Sequence, residues 1–81
     1  MSNDLAARAH DLDVTVWVGK SGIAPVVDEL QDQLQNENLV KVKFLRAARG
    51  GTSTEELAEE LAEQVNAEII DVRGHTAVFH K

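Results

Sequence analysis

Cysteine is absent from this chain of 81 residues. Without thiols, the chain can form no disulfide, offers no thiolate nucleophile and provides no cysteine ligand for zinc or an iron–sulfur cluster. Long apolar runs are absent too, since no stretch approaches the roughly 20 residues that a membrane span requires. The N-terminus lacks the basic and apolar regions of a secretory signal. We therefore expect a soluble, cytoplasmic protein with no membrane partner.

Basic residues are scarce: eight lysines and arginines stand against 14 aspartates and glutamates, for a net charge of -6. Because phosphate neutralisation dominates affinity for nucleic acids, this total ordinarily argues against such a partner. The distribution matters more than the total. Acidic residues gather in segments 28–37 and 55–63, whereas most basic ones lie elsewhere, at Lys20, Lys41, Lys43, Arg46 and Arg49. The acidic composition favours a halophilic, archaeal source, and an ordinary acidic bacterial domain is the alternative.

The chain is long enough for one compact domain, residues 1–81, and too short for two. Hydrophobic periodicity predicts elements in the order α-β-α-β-α-β-β. The predicted bounds are helices over 3–12, from Gly22 through Leu34 and over 54–66, and strands over 14–18, 39–46, 67–73 and 76–80. Helices between the first three strands favour parallel pairing, and the Gly74-His75 turn adds an antiparallel strand. The sequence therefore predicts an α+β fold in which a mixed four-stranded sheet packs with helices.

Two of the predicted helices have local start signals. Pro25 lies in the first turn of the second helix, where a missing N–H group costs no hydrogen bond. Ser53 and Glu56 have the spacing of a capping box before the third helix. The acidic face of that third helix is either simply solvated or a surface that repels RNA and directs binding elsewhere.

The stretch Gly19-Lys20-Ser21-Gly22 joins the first strand to the second helix. Glycines permit backbone angles closed to other residues and let the backbone of a ligand approach closely. The helix that follows directs unpaired N–H groups and a positive dipole end to the same place. Together with Lys20 these groups form a candidate phosphate site, and a plain strand-to-helix turn is the alternative. The spacing matches neither a P-loop nor a Rossmann fingerprint, which disfavours a nucleotide-hydrolysing enzyme.

Three separated motifs carry a family resemblance. The stretch VWVGKSGIAPVVDELQDQLQNENLVKVKFL, residues 16–45, closely resembles the signature of the CRM domain, the YhbY-like RNA-binding family. In that family an apolar strand leads into a GxxG loop, a helix and a Leu-(Val/Ile)-Lys-Val-Lys strand. The stretch AEIIDVRGHTAVFHK, residues 67–81, is similar to the closing hairpin of the family. The resemblance spans about residues 5 to 81.

The resemblance implies a two-layer fold similar to the C-terminal domain of bacterial translation initiation factor three. It also implies RNA binding, typically to ribosomal RNA during assembly of the large subunit or to introns in plant organelles. It implies no catalytic residue and no cofactor. The residues that match the family loop and the basic strand are Gly19, Lys20, Ser21, Gly22, Lys41 and Lys43. The acidic helices are a departure, because bacterial members of the family are usually more basic.

Further candidate contacts come from the residues themselves. Lys41 and Lys43 share one strand face by period two, so they either meet phosphates or form a solvated face. Arg46 and Arg49 bracket a loop with two glycines and form a candidate phosphate grip. Trp17 is expected on the strand face opposite Val14, Val16 and Val18. It is either an exposed ring that stacks an unpaired base or a core residue beneath the first helix.

The three histidines do not suggest a metal or acid–base site. His75 and His80 are an odd number of positions apart across a strand, so they should face opposite sides. No carboxylate motif completes a ligand set with them or with His10. We therefore expect no metal, no cofactor and no enzymatic activity.

The sequence thus predicts a monomeric RNA-binding protein that holds ribosomal or precursor RNA, on its own or within ribosomal particles, during ribosome biogenesis. The predicted contacts are Gly19, Lys20, Ser21, Gly22, Lys41, Lys43, Arg46 and Arg49. The alternative is an acidic protein-interaction module that docks a basic ribosomal or RNA-processing protein.

Overall fold

The computed structural model describes Arg8, Ala9 and residues 11–81. The strands are β1 (Val14–Val18), β2 (Leu39–Phe44), β3 (Glu68–Arg73) and β4 (Thr76–His80), and the helices are α1 (Val27–Asn36) and α2 (Thr54–Val65). The strands form one sheet in the spatial order β1-β2-β4-β3. β1 is parallel to β2, and the other two neighbouring pairs are antiparallel. The predicted α+β fold with a mixed four-stranded sheet is confirmed.

The main hydrophobic core lies between the two helices and one face of the sheet. Period-two alternation supplies the sheet side, as in β2, where Val40, Val42 and Phe44 are buried. The helices contribute their apolar stripes, including Leu30 of α1 and Leu61 of α2, which are both fully buried. Burial of each such large side chain contributes about 1.5–3 kcal/mol. This core fixes the direction of β1 and β2 and therefore the position of the connections that follow them.

The start of α1 differs from the prediction. A short 3₁₀ turn, Ala24–Val26, containing Pro25, comes between the Gly19–Gly22 turn and α1. The Val26 N–H donates to the carbonyl of Ile23 at 3.0 Å. The helical segment therefore begins at Ala24, two residues after Gly22, and its first turn is a 3₁₀ turn instead of the predicted α-helix.

Both ends of α2 are capped by hydrogen bonds. The Ser53 hydroxyl accepts from the Glu56 N–H at 3.2 Å, as the predicted capping box requires. The carboxylate of Glu56 accepts from the Thr52 hydroxyl at 3.5 Å, in place of the backbone N–H of Ser53 that a full capping box would use. At the other end, Asn66 has left-handed backbone angles, with φ 56° and ψ 49°. Its N–H donates to the carbonyls of the last helical turn.

Strand ends also depart from the predicted bounds. β2 ends at Phe44 and not at 46, because a 3₁₀ turn, Arg46–Ala48, follows, in which the Ala48 N–H donates to the carbonyl of Leu45 at 2.9 Å. β3 begins at Glu68 and not at 67, since the Ala67 N–H donates to the carbonyl of Ala62 and closes the helix end.

A smaller apolar cluster lies on the opposite face of the sheet. Ala9, Leu39 and Val78 are buried there, with Leu12 and Ile70 packed against them. Arg8, Ala9 and Asp11 are helical, in agreement with the predicted first helix, and the remainder of its predicted span, residues 3–7 and His10, lies outside the described residues. Within the described chain, no helix has the length and apolar character needed to cross a bilayer. Ala9 and Leu12 therefore cover one part of this second face.

Candidate nucleic-acid interface

The Gly19–Gly22 segment is a tight turn closed by one hydrogen bond. The Gly22 N–H donates to the carbonyl of Gly19 at 2.9 Å. Lys20 and Ser21 occupy the tip of the turn and are exposed. Gly22 has φ +82°, a left-handed conformation that requires glycine, whereas Gly19 is not among the described residues with positive φ. Of these two glycines, Gly22 therefore adopts a positive φ and Gly19 does not.

The tip of this turn carries donors for an anion. The amides of Lys20, Ser21 and Ile23 have no hydrogen-bond acceptor within the described part of the chain. Lys20 adds a flexible ammonium group, and the Ser21 hydroxyl adds another donor. A segment of this kind can hold the phosphate of a nucleic-acid backbone through short hydrogen bonds and charge.

Three connections meet at the same end of the sheet. The parallel strands β1 and β2 both end there, and the turn between β3 and β4 lies beside them. The Phe44 N–H donates to the carbonyl of His75 at 2.7 Å, which ties the end of β2 to that hairpin turn. The Leu45 N–H to Val18 carbonyl bond ties the same point to β1. The Gly19–Gly22 turn, the loop after β2 and the Gly74-His75 turn are therefore held together.

The sheet face opposite the helices carries a row of side chains at this end. In register, Trp17 of β1 lies opposite Lys43 of β2, Lys43 opposite Thr76 of β4, and Thr76 opposite Arg73 of β3. We call these four residues the cross-strand row. Neighbouring strands are about 4.8 Å apart, so the row joins an aromatic ring and two cations across the whole sheet. Trp17, Lys43 and Arg73 are exposed, and Thr76 is partly so.

Trp17 is 53% exposed. Ala9 and Leu12 pack in the part of this face around Leu39 and Val78, and Trp17 does not belong to that cluster. Of the two interpretations drawn from the sequence, the core position is therefore wrong.

The other predicted contacts differ in how accessible they are. Lys41 is partly buried on the same face as Lys43, between Val14 and Val78 in the strand register. Arg46 is exposed in the 3₁₀ turn after β2. Arg49 is partly buried, and its Nε donates to the carbonyl of Phe44 at 3.0 Å. This bond holds the loop against the end of β2, so Arg49 has a structural role that the sequence pattern did not predict.

The charges are segregated between the two layers. Neither helix contains a lysine or arginine, and all their acidic side chains are exposed. These acids are Asp28, Glu29 and Asp32 of α1 and Glu55, Glu56, Glu59, Glu60 and Glu63 of α2. The cross-strand row and the connections at its end hold most of the basic residues. Asp71 is the acid near them, with its Oδ2 4.0 Å from Arg73 Nε.

The histidine and carboxylate side chains that the structure describes are dispersed. Among the described residues, no group of three or more metal-ligating side chains lies close enough to hold an ion. His75 is exposed in the hairpin turn and His80 lies at the far end of β4. His10 lies outside the described residues.

Comparison with known proteins identifies relatives over the whole chain. Residues 2–81 match the model of the CRS1/YhbY (CRM) domain. The "Probable RNA-binding protein MJ0652" of Methanocaldococcus jannaschii is 43% identical over 81 residues, which cover 100% of this chain and 60% of that protein. The chain thus spans less than two thirds of that relative.

A solved structure shows the same fold. The solution structure of SAV1595 from Staphylococcus aureus, described as a candidate RNA-binding protein, has a TM-score of 0.79 and 31% sequence identity. The match covers 99% of this chain and 82% of the other. With a family model that matches nearly every residue, this chain belongs to the CRS1/YhbY (CRM) domain family.

Proposed function

We propose that this protein binds RNA through the Gly19–Gly22 turn and the neighbouring cross-strand row. The observation that carries the proposal is their common location at one end of the sheet, where Lys20, Lys43 and Arg46 are exposed and the turn has open amides. The two relatives described above as RNA-binding, by name or by description, support it.

The turn suits a sugar-phosphate backbone for steric and electrostatic reasons. Its tip projects Lys20 and Ser21 into solvent, and Gly22 turns the chain away behind them. A phosphate can therefore approach the amides without meeting a bulky side chain. Hydrogen bonds to a charged group contribute about 1.5–3 kcal/mol each, and they remain effective when salt screens long-range attraction.

The segregation of charge gives the complex an orientation. RNA that approaches the helical layer meets exposed carboxylates without a compensating cation on either helix. RNA that approaches the end of the sheet meets lysine and arginine. Like-charge repulsion on one side and attraction on the other therefore favour one docking direction.

The biological setting that we propose is cytoplasmic ribosome biogenesis, with ribosomal or precursor RNA as the partner and the monomer as the binding unit. The family resemblance of the loop and the basic strand is the support for this choice. The protein would act by holding structured RNA and not by catalysis.

Charge reversal at the turn tests the proposal. Lys20→Glu should lower affinity for a structured ribosomal RNA fragment by about tenfold or more, because a hydrogen bond to a charged phosphate is replaced by repulsion. Fluorescence anisotropy measures the affinity. Lys81→Glu is the matched control: it changes the net charge equally, but Lys81 follows His80 at the opposite end of the sheet.

Both lysines are exposed, so thermal unfolding should be nearly the same in the two variants. Equal affinity of the Lys20→Glu and Lys81→Glu variants would show that the turn is only a connection between β1 and the helix. A loss confined to Lys20→Glu supports the proposal.

A groove in the helical layer favours a second candidate, the docking of a basic protein. Ile23, Ala24 and Val27 form its apolar side, and Asp28, Glu60 and Gln64 complete its lining. Its volume is about 480 Å³, enough for several side chains of a bound peptide. An aliphatic side chain next to lysines or arginines would match this mixture of apolar and acidic surface.

Isolation from lysate with and without ribonuclease distinguishes the two candidates. Partners that are lost after digestion support RNA binding as the primary function. Partners that survive digestion and are lost when Asp28 and Glu60 are changed to lysine support the docking of a basic protein.

A further inference from the structure

We propose that Trp17 stacks an unpaired base of the RNA whose backbone lies at the Gly19–Gly22 turn. The preferred ligand is then a loop, bulge or single strand and not a continuous duplex. This inference rests on the proposed function and specifies its substrate class.

Exposure of Trp17 is unusual for this chain. Among the described residues, the exposed large hydrophobic side chains are Trp17 at 53% and Leu45 at 37%. Both lie at the end of the sheet that carries the turn, and a Cβ built on Gly19 would lie 3.8 Å from Leu45 Cδ1. An indole ring loses favourable apolar transfer free energy when it stays in water, so its exposure beside a basic surface points to a ligand that covers it.

The neighbours of Trp17 complement a nucleotide. Lys43 lies directly opposite on β2, about 4.8 Å away in the hydrogen-bonding direction. Gly19 begins the turn two residues further along the chain, about 7 Å from Trp17. A base on the ring, a phosphate near Lys43 and a phosphate at the turn can therefore belong to adjacent nucleotides of one strand.

The edge position of β1 leaves room for an unpaired base beside Trp17. β1 is at the edge of the sheet, so its outer side has no neighbouring strand among the described residues. A base that has left its stack can reach the ring from this open edge. Bases within an A-form helix are stacked on both faces and are not available to an aromatic side chain.

Intrinsic fluorescence gives a direct measurement. The chain contains one tryptophan and no tyrosine, so its tryptophan emission reports on Trp17 alone. The full chain is titrated with an RNA hairpin that has an open loop and, separately, with a blunt duplex of equal phosphate number. We expect the hairpin to quench the emission strongly and the duplex to leave it nearly unchanged.

Two variants complete the test. Trp17→Ala should weaken hairpin binding by roughly 5- to 150-fold, the range that corresponds to loss of one base–aromatic stack, and should leave duplex binding within about twofold. Trp17→Phe retains a stacking ring and should recover most of the hairpin affinity. Because Trp17 lies largely outside the core, both variants should fold, and the Phe variant provides the comparison if the Ala variant does not.

The outcomes separate this inference from the proposed function. If the hairpin binds in a Lys20-dependent way without quenching, and Trp17→Ala binds it normally, stacking is overturned and RNA binding at the turn stands. If neither RNA binds, both proposals fail. Equal quenching by hairpin and duplex also overturns the preference for unpaired bases.

Discussion

Gly22 and Gly19 form one sequence motif but have different physical roles. Gly22 has φ +82°, where any residue with a Cβ is strained, while a Cβ on Gly19 would make an ordinary 3.8 Å contact with Leu45. The backbone therefore requires glycine at position 22, whereas the fold can accommodate alanine at position 19. A requirement for glycine at position 19 would therefore come from the close approach of a ligand and not from the stability of the fold.

We expect Gly22→Ala to lower the free energy of unfolding by about 1–2 kcal/mol, the cost of a left-handed backbone for an L-residue. Gly19→Ala should change it by less than about 0.5 kcal/mol. Urea denaturation of both variants measures the difference. Equal destabilisation would contradict the assigned backbone roles.

Individual side chains show where prediction from sequence reaches its limit. Period two correctly placed Trp17 opposite Val16 and Val18 but not opposite Val14, which precedes a register shift, and the exposure of Trp17 depends on which distant segments pack over the sheet. The bond from Arg49 Nε to the Phe44 carbonyl depends on the path of the loop after β2. Neither the exposure of Trp17 nor the path of this loop is encoded in a local sequence pattern. Residue types were therefore predictable at the site, and their accessibility was not.

At the scale of elements, α2 shows how local signals determine a helix. Ser53 satisfies an N-terminal amide, Asn66 turns the chain at the C-terminal end, and the apolar stripe between them faces the sheet. All three signals agree, which explains why its predicted span was almost correct.

We expect Ser53→Ala to destabilise the protein by about 1 kcal/mol, because the Glu56 N–H loses its acceptor. Ser21→Ala is the control, since it makes the same chemical change in an exposed turn without a helix cap. Its effect should stay within about 0.5 kcal/mol. Thermal unfolding checks both, and a Ser53→Ala variant as stable as Ser21→Ala would refute the cap.

Hydrophobic periodicity does not predict where β2 ends or where the strand registers shift. The apolar pattern of β2 continues through Leu45, but the 3₁₀ turn Arg46–Ala48 redirects the chain after it. β1 and β3 each contain a register shift, between Val14 and Val16 and between Ile69 and Asp71. The register shifts arise from pairing between distant segments, so periodicity along one segment does not predict them.

At the scale of the whole molecule, the acidic helical layer makes stability depend on salt. On α2, Glu59 has a like charge four residues before it at Glu55 and four after it at Glu63. Such pairs destabilise a helix by about 0.2–0.5 kcal/mol each. The Debye length falls from about 30 Å at 0.01 M to about 8 Å at 0.15 M, so added salt weakens this repulsion.

We therefore expect the free energy of unfolding to rise as KCl increases over that range. Glu59→Gln should stabilise the protein by several tenths of a kcal/mol at low salt and by less at high salt. Glu68→Gln, an exposed glutamate outside both helices, is the matched control and should have a smaller effect. Urea midpoints in a KCl series measure both, and a gain for Glu59→Gln that is independent of salt would contradict the electrostatic explanation.

The strand order has a consequence for synthesis of the protein. β4 is the last strand in chain order, yet it lies between β2 and β3. A nascent chain that has emerged only through β3 lacks the strand that hydrogen-bonds to both, so Phe79 is missing from the core and the inner edge of β2 stays open. The domain can complete its fold only after β4 has left the ribosomal exit tunnel, and until then its unpaired edge is a surface for chaperones or for aggregation.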